Sequence, residues 1–158
     1  MIAGLGHDVV NVSQFAEQMS VSKGWRALFS ARELRQCSLR AENKRDDEAL
    51  HVAARWAGKE AVIKAWCEAL SICHTSYPYT LDNTPWSGIE ILDDSHGCPR
   101  VNLSSEVNNK VLESLSRAQN SANKSDPIEI RWHISLTHDG LIQNHTAIAS
   151  AVAILEIL

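Results

Sequence analysis

RWAGKEAVIK, residues 55–64, is the stretch of sequence that decides the fold of this chain. It predicts a helix, and Gly58 is its only residue with poor helix propensity. Glu60 and Lys64 stand four residues apart, so their side chains share one face of that helix. A carboxylate can hold a hard cation and a lysine can hold a phosphate. The same spacing is also common in solvated surface salt bridges.

The N-terminal stretch MIAGLGHDVVNV, residues 1–12, is apolar and rich in β-branched residues. This pattern is typical of a buried strand. Asp8 interrupts it, and an unpaired buried carboxylate is costly. We therefore expect Asp8 either to have a hydrogen-bonding partner or to bind a ligand.

Polar and apolar residues alternate in RWHISLTHD, residues 131–139. In a strand, successive side chains point to opposite faces, which places Trp132, Ile134 and Leu136 toward the core. The other face would carry side chains able to receive phosphate oxygens. A solvated sheet face would give the same pattern. These side chains are Arg131, His133, Ser135 and Thr137.

Length and composition indicate one domain over residues 1–158, with a formal net charge of −4. No apolar run is long enough to predict a membrane span, and the N-terminus lacks the basic region of a signal peptide. The four cysteines show no metal-ligand spacing, which favours free thiols and a cytoplasmic protein. The five tryptophans show no spacing that would indicate nucleic-acid binding.

The order of predicted elements indicates an α+β fold, with antiparallel strands packed around a long helix. Ser13 and Ser30 are candidate helix N-caps, and Glu33 would complete a capping box with Ser30. Two stretches, 71–86 and 120–127, look like insertions or loops. The predicted elements are a strand (2–12), short helices (13–41), a long helix (46–70), a hairpin (87–104), a helix (105–119) and two strands (128–138 and 145–157).

Taken in their order along the chain, the N-terminal strand, the helix segment that begins at Arg55 and the alternating segment 131–139 resemble the holo-acyl-carrier-protein synthase family of 4′-phosphopantetheinyl transferases. GLGHD, residues 4–8, matches the family's G-x-G-x-D strand. Residues 55–65 match its helix motif R-(F/W)-x-x-K-E-A-x-x-K-A, and HISLTH, residues 133–138, matches H-(V/I)-S-(L/I/T)-(S/T)-H. Three motifs in order are far more specific than one. Weaker matches are the predicted hairpin (GIEI, 88–91, and GCPRV, 97–101) and the closing strand (149–156).

The resemblance implies a small antiparallel sheet wrapped around a long central helix, and a homotrimer with active sites at subunit interfaces. It implies transfer of the 4′-phosphopantetheine arm of coenzyme A to a serine of an acyl carrier protein, a reaction that serves fatty acid biosynthesis. Adenosine 3′,5′-bisphosphate is the other product. Two alternatives stay open. One is a metal-dependent hydrolase of coenzyme A or a nucleotide, and the other is a non-catalytic trimeric binding module.

For the chemistry, the resemblance implies that Asp8 and Glu60 are ligands of a magnesium ion. Magnesium is usually held by one or two carboxylates, with phosphates and waters completing its six sites. Lys64 matches the family lysine near the pyrophosphate, where it would offset developing charge. The acceptor of the serine proton stays open between Glu60, His133 and a metal-bound water, and we favour the water assisted by a carboxylate.

For coenzyme A binding, the resemblance implies contacts from Lys64, Arg55, His133 and Ser135. Arg55 would help to bind the nucleotide phosphates, although a helix-surface charge would fit the sequence as well. His133 would contact a phosphate and, because histidine titrates near neutrality, could move a proton. His138 is expected to be more exposed.

Basic residues are concentrated in one part of the chain. Residues 23–64 carry a net charge of +4, and the remainder therefore carries −8. This asymmetry favours docking of an acidic acyl carrier protein near the first helices, with Arg26 and Phe29 in the docking patch. A solvated helical face would explain the same charges.

The chain departs from the family pattern after Ala65, where a glycine-threonine-glycine loop is missing and a longer segment, 71–86, follows. The detailed shape of the coenzyme A pocket therefore cannot be transferred from the family. The first predicted helix, residues 13–20, also lacks the arginines often present there.

Overall fold

The structure of this chain is a computed structural model that describes residues 1–72, 74–119 and 128–158. The predicted elements are all present, with ends that shift by up to about three residues. Short 3₁₀ turns lie at Gly24–Leu28, Trp86–Gly88 and Ile142–Asn144. The strands and helices are β1 (Ile2–Asn11), α1 (Val12–Val21), α2 (Ala31–Lys44), α3 (Glu48–Ser71), β2 (Ile89–Asp93), β3 (Pro99–Leu103), α4 (Ser105–Gln119), β4 (Ile130–Asp139) and β5 (Ile148–Ile157).

The α+β prediction is confirmed. β1, β5 and β4 form a three-stranded antiparallel sheet in that order, and β2 pairs with β3 in a separate hairpin. α3 packs across the sheet, chiefly on β1 and β5, and α2, α4 and the hairpin pack around it. The helix is therefore the centre of the molecule, and residues on its different sides reach different edges of the sheet.

Small residues let α3 lie close to the sheet. A Cβ atom at Gly4 or Gly6 of β1 would collide with the backbone carbonyls of Ala65 and Ala61 in α3. β5 presents alternate alanines to the helix, and these are fully buried. The close approach brings the carboxylate of Asp8, two residues beyond Gly6, within reach of the helix side chains.

The prediction of which face of β4 points toward the core is confirmed. Trp132, Ile134 and Leu136 pack against the core. The opposite face of the sheet is exposed across the part of the chain that the structure describes, and it carries large apolar side chains as well as polar ones. The apolar residues are Leu5, Val9, Ile148 and Val152, with 51%, 56%, 49% and 37% of their surface exposed.

Local side-chain hydrogen bonds fix the helix starts. Ser30 and Glu33 form the predicted capping box of α2. The prediction for Ser13 is wrong, because the helix begins earlier and Asn11 caps it by accepting from the Gln14 backbone N–H at 3.0 Å. Ser13 is buried instead, and its hydroxyl donates to the Ile142 carbonyl at 3.2 Å.

A buried ion pair ties α2, α3 and the hairpin together. Lys59 Nζ donates to Glu33 Oε2 at 2.9 Å and also to the backbone carbonyls of Trp86 and Ile89. The other oxygen of Glu33 accepts from the Ile91 backbone N–H at 2.9 Å. Both charged side chains are fully buried, and burial lowers the pKa of Lys59. Lys59 therefore has a structural position, away from its neighbour Glu60.

The insertion after α3 folds back onto the core. Tyr77 packs edge-on against Trp66, with ring centroids 4.9 Å apart, and Tyr79 lies beside it. The Trp66 indole N–H donates to Ser114 Oγ of α4 at 2.9 Å. The other predicted loop, 120–127, lies outside the described residues.

Candidate active site

Asp8, Glu60 and Lys64 meet at one edge of the sheet. Lys64 Nζ donates to Asp8 Oδ1 at 2.8 Å and to the His7 carbonyl at 3.0 Å. Glu60 lies one helical turn before Lys64 on α3. Asp8 and Glu60 line the same open cleft of about 390 Å³, together with Trp56 and side chains of α1. Asp8 therefore has the partner that its position in an apolar strand required.

The two carboxylates of this cleft repel each other. Burial raises the pKa of Glu60, and the nearby carboxylate of Asp8 raises it further, while Lys64 opposes both effects. A divalent cation between the two oxygens would remove this repulsion, and carboxylate oxygens are the ligands that hard cations prefer. The donor set of the cleft therefore suits Mg²⁺, with Lys64 beside it for an anionic group.

A second cavity, of about 260 Å³, lies at the other edge of the sheet beside β4. We call it the basic cavity, and Arg40, Lys44 and Arg55 line it. Asp93 accepts from Arg55 Nη2 at 2.7 Å and lies 2.7 Å from Arg40 Nε. Arg55 is 3% exposed, and its Nε has no hydrogen-bond partner among the described residues. A buried unpaired N–H beside a cationic cavity suits an anionic ligand.

The prediction that His138 is exposed is wrong. The alternation of β4 continues to its end, so His138 shares the inward face of Ile134 and Leu136 and lines the basic cavity. Its ring meets that of His51 edge-on, with centroids 5.2 Å apart. Burial lowers the pKa of His138, and the charges of His51, Lys44 and Arg40 lower it further. The period of the strand contained the signal that would have placed this residue.

His133 and Ser135 lie on the exposed face of the sheet, away from both cavities. His133 Nε2 is 3.0 Å from Glu156 Oε2 on the neighbouring strand. The pKa of Glu156 is lowered mainly by this hydrogen bond. The predicted residues therefore lie in three places within one chain. Asp8 and Glu60 line the cleft with Lys64 beside Asp8, Arg55 lines the basic cavity, and His133 and Ser135 lie on the open sheet face.

The predicted docking patch needs a correction at Phe29. Its ring is 5% exposed and lies between the indoles of Trp25 and Trp56, with centroid distances of 6.0 and 6.2 Å. Phe29 is a core residue here because the 3₁₀ turn before it directs the ring inward. Arg26 is exposed and lies over the ring of Trp25.

This fold and this pair of carboxylates with a lysine define a class of protein. The sequence model of the 4′-phosphopantetheinyl transferase superfamily, ACPS, matches residues 4–125. The chain belongs to this superfamily.

Within that class, the chain is similar to proteins called holo-acyl-carrier-protein synthase. It is 53% identical to the one from Bifidobacterium animalis subsp. lactis over 97% of each chain. It is 53% identical to the one from Bifidobacterium adolescentis over 98% of this chain and 99% of that protein. A solved structure described as the Chronobacterium ammoniagenes ACPS-CoA complex matches with a TM-score of 0.76 and 29% identity, over 98% of this chain and 96% of that chain.

The described part of the chain holds no helix that is both long and apolar enough to span a membrane.

Proposed function

We propose that this chain transfers the 4′-phosphopantetheine moiety of coenzyme A to a serine of apo acyl carrier protein, giving holo acyl carrier protein and adenosine 3′,5′-bisphosphate. The observation that carries the proposal is that Asp8 and Glu60 line one cleft and that Lys64 donates to Asp8 beside it. Membership of the superfamily and the names of the relatives support it.

In this proposal Asp8 and Glu60 hold a magnesium ion, which when bound supplies positive charge to the pyrophosphate oxygens. Lys64, half-exposed and beside Asp8, stabilises the charge that develops on the same oxygens. Glu60 lies in the same cleft and is therefore the carboxylate placed to assist removal of the proton from the attacking serine hydroxyl.

The basic cavity is proposed as the site for phosphate groups of coenzyme A. Arg55 offers an unpaired N–H there, and Arg40, Lys44 and His138 add donors around it. The similar solved structure from Chronobacterium ammoniagenes is described as a complex with CoA, which supports a coenzyme A site in this fold.

A homotrimer is proposed because one chain leaves His133 and Ser135 remote from the cleft. The exposed sheet face carries these two residues among Leu5, Val9 and Val152. Exposed apolar patches of this kind often mark protein interfaces. A second copy that covers the face would bury the apolar side chains and bring His133 and Ser135 toward the cleft of its neighbour.

The acyl carrier protein is proposed to dock near Arg26 and the basic residues of α2. Phe29 is buried and is therefore left out of the docking patch. We also propose that residues 1–158 form one domain. A cytoplasmic location is proposed because the cysteines of the sequence are interpreted as free thiols. The described cysteines, Cys37, Cys67 and Cys98, are free.

The test is intact-mass spectrometry of apo acyl carrier protein after incubation with this protein, coenzyme A and Mg²⁺, with and without a chelator. Transfer predicts a metal-dependent gain of about 340 Da, one phosphopantetheine arm. An unchanged carrier with cleaved coenzyme A would indicate the hydrolase. An unchanged carrier with intact coenzyme A would indicate a binding module.

A further inference from the structure

A second group of metal-ligating side chains lies apart from Asp8 and Glu60, where the α2–α3 junction meets the end of β4. It consists of Asp46, His51 and His138, which we call the DHH cluster. One ligand atom from each residue lies within 4.8 Å of the other two. Over the described ranges, no other group of three histidine, cysteine or acidic residues has this arrangement.

We propose that the DHH cluster binds a divalent transition-metal ion of the zinc and cobalt class. Two imidazoles and one carboxylate are a common ligand set for Zn²⁺ sites that keep an open fourth position. Imidazole suits zinc, cobalt and nickel, whereas Mg²⁺ requires oxygen ligands. The two sites of the chain would therefore differ in metal preference, with Asp8 and Glu60 for the hard cation.

The cluster is largely preformed. His51 is 1% exposed and is the fourth residue of α3, so its ring has little freedom. Its Nε2 lies 2.6 Å from Asp46 Oδ1, and the Asp46 backbone N–H donates to the Ala41 carbonyl at 3.2 Å. A metal ion would replace the hydrogen shared by Nε2 and Oδ1, with the imidazole proton on Nδ1. Two ligands of a tetrahedral Zn²⁺ ion, each about 2.0 Å from the metal, lie roughly 3.3 Å apart, so Nε2 and Oδ1 would separate slightly and His138, near the strand end, would move toward them.

The basic cavity gives a metal ion access to the DHH cluster, but the positive charges that line the cavity weaken its binding. The basic cavity gives His51 and His138 an open side, where water or an anion can complete the coordination. Of the cations that line this cavity, Arg40 and Arg55 share the carboxylate of Asp93, which offsets part of their charge. Lys44 is then the main opposing charge, and removing it should tighten metal binding.

The experiment titrates untagged, full-length protein with Co²⁺ and follows the visible absorption of tetrahedral Co²⁺, in the presence of excess Mg²⁺. Zn²⁺ binding is measured by calorimetry. We expect one equivalent that Mg²⁺ does not displace. His138→Ala should weaken binding by more than roughly 10-fold, since even outer-shell substitutions cost that much. The matched control is His133→Ala, on the opposite face of the same strand, which should keep the affinity.

His138→Ala carries the test because His138 is only half-buried, so the variant should keep the fold. Its melting temperature with chelator should equal that of the wild type, and Zn²⁺ should raise the melting temperature of the wild type but not of the variant. Lys44→Gln should bind Co²⁺ more tightly. The proposal fails if Co²⁺ does not bind at millimolar concentration, if His138→Ala binds equally well, or if Asp8→Asn rather than His138→Ala abolishes binding.

Discussion

Glu60 carries the strongest conflict of charges in the cleft, because burial and Asp8 both oppose its ionisation while Lys64 favours it. A carboxylate kept under such repulsion gains most when a cation arrives. The conflict that makes the residue unfavourable for folding therefore suits it to metal binding, which is a familiar trade between stability and function.

Glu60→Gln is predicted to lower the turnover of carrier-protein modification by at least roughly 100-fold, as expected when a group that stabilises charge in the transition state is lost. Glutamine has the shape of glutamate but no charge for Mg²⁺. The rate of phosphopantetheine transfer measured by mass spectrometry checks this. Glu113→Gln, on the exposed face of α4, is the control and should keep full activity. Full activity of Glu60→Gln would contradict the proposal that Glu60 is a magnesium ligand.

The same substitution is predicted to stabilise the fold at neutral pH. Because burial and Asp8 raise the pKa of Glu60 above 4.5 in the folded chain, its ionisation costs stability as the pH rises from 4.5, and the full cost is reached above the folded pKa. In metal-free buffer, Glu60→Gln should melt at a higher temperature than the wild type at pH 7, because glutamine carries no charge. This advantage should disappear as the pH falls toward 4.5, where the wild-type group takes up its proton. A lower melting temperature for the variant at pH 7 would contradict the prediction.

Sequence reasoning at this scale worked where a residue broke a pattern. Asp8 in an apolar strand called for a partner, and Lys64 supplies it. It was wrong at Phe29, whose ring lies between two indoles, one of them contributed by the distant Trp56, so that no local pattern contains the contact. It was also wrong at His138, where the alternation of β4 was not followed to the end of the strand.

At the scale of elements, the ion pair of Lys59 and Glu33 holds α2, α3 and the hairpin in register. The hairpin contributes Asp93, α2 contributes Arg40, and α3 contributes Arg55, so the same three elements build the basic cavity. The buried pair therefore positions the proposed phosphate site without touching it.

Lys59→Met is predicted to destabilise the fold by about 3–5 kcal/mol, because it leaves the Glu33 carboxylate buried without its cation. Chemical unfolding monitored by tryptophan fluorescence measures the change. Lys110→Met is the matched control, since Lys110 makes an exposed pair with Glu113 on α4 and should cost less than about 1 kcal/mol. Equal costs for the two variants would mean that the buried pair adds nothing beyond a surface pair.

The elements themselves followed from local rules. Alternation identified β4, and the capping box identified the start of α2. The start of α1 was misplaced because Asn11 and Ser13 are both good caps, and the bend at the end of β1 decides between them. The buried position of Lys59 was not predicted, since its partner is 26 residues away and only the packing of α2 on α3 brings them together.

At the scale of the whole molecule, the open sheet face is the feature that a single chain leaves unexplained. Leu5, Val9 and Ile148 are each about half exposed on this face, which also carries His133. From the sequence, only the polar side chains of β4 could be assigned to this face. Its apolar side chains come from β1 and β5, and they lie on the same face as those of β4 because the strand order is β1-β5-β4. The homotrimer was therefore predicted from the resemblance to the family and not from the pattern of polar and apolar residues.

If sites form between copies, two inactive variants should complement each other. Glu60→Gln damages the cleft of one copy, and His133→Ala damages the sheet face offered by its neighbour. In a trimer that mixes both variants at random, a site is intact when its cleft comes from the His133→Ala chain and its sheet face from the Glu60→Gln chain. Every cyclic trimer that contains both variants has one such site, so about a third of the sites in mixed trimers should be intact, given one type of contact.

The two variants are co-expressed with different tags and purified through both, and transfer to apo acyl carrier protein is measured per chain. Light scattering gives the number of copies, which should be three. Activity near a third of wild type would support shared sites, because neither parent provides it alone. Activity no higher than that of the parents would place all the catalytic groups within one chain. That outcome would exclude a joint role of His133 and Asp8, because within one chain the two side chains lie on opposite faces of the sheet.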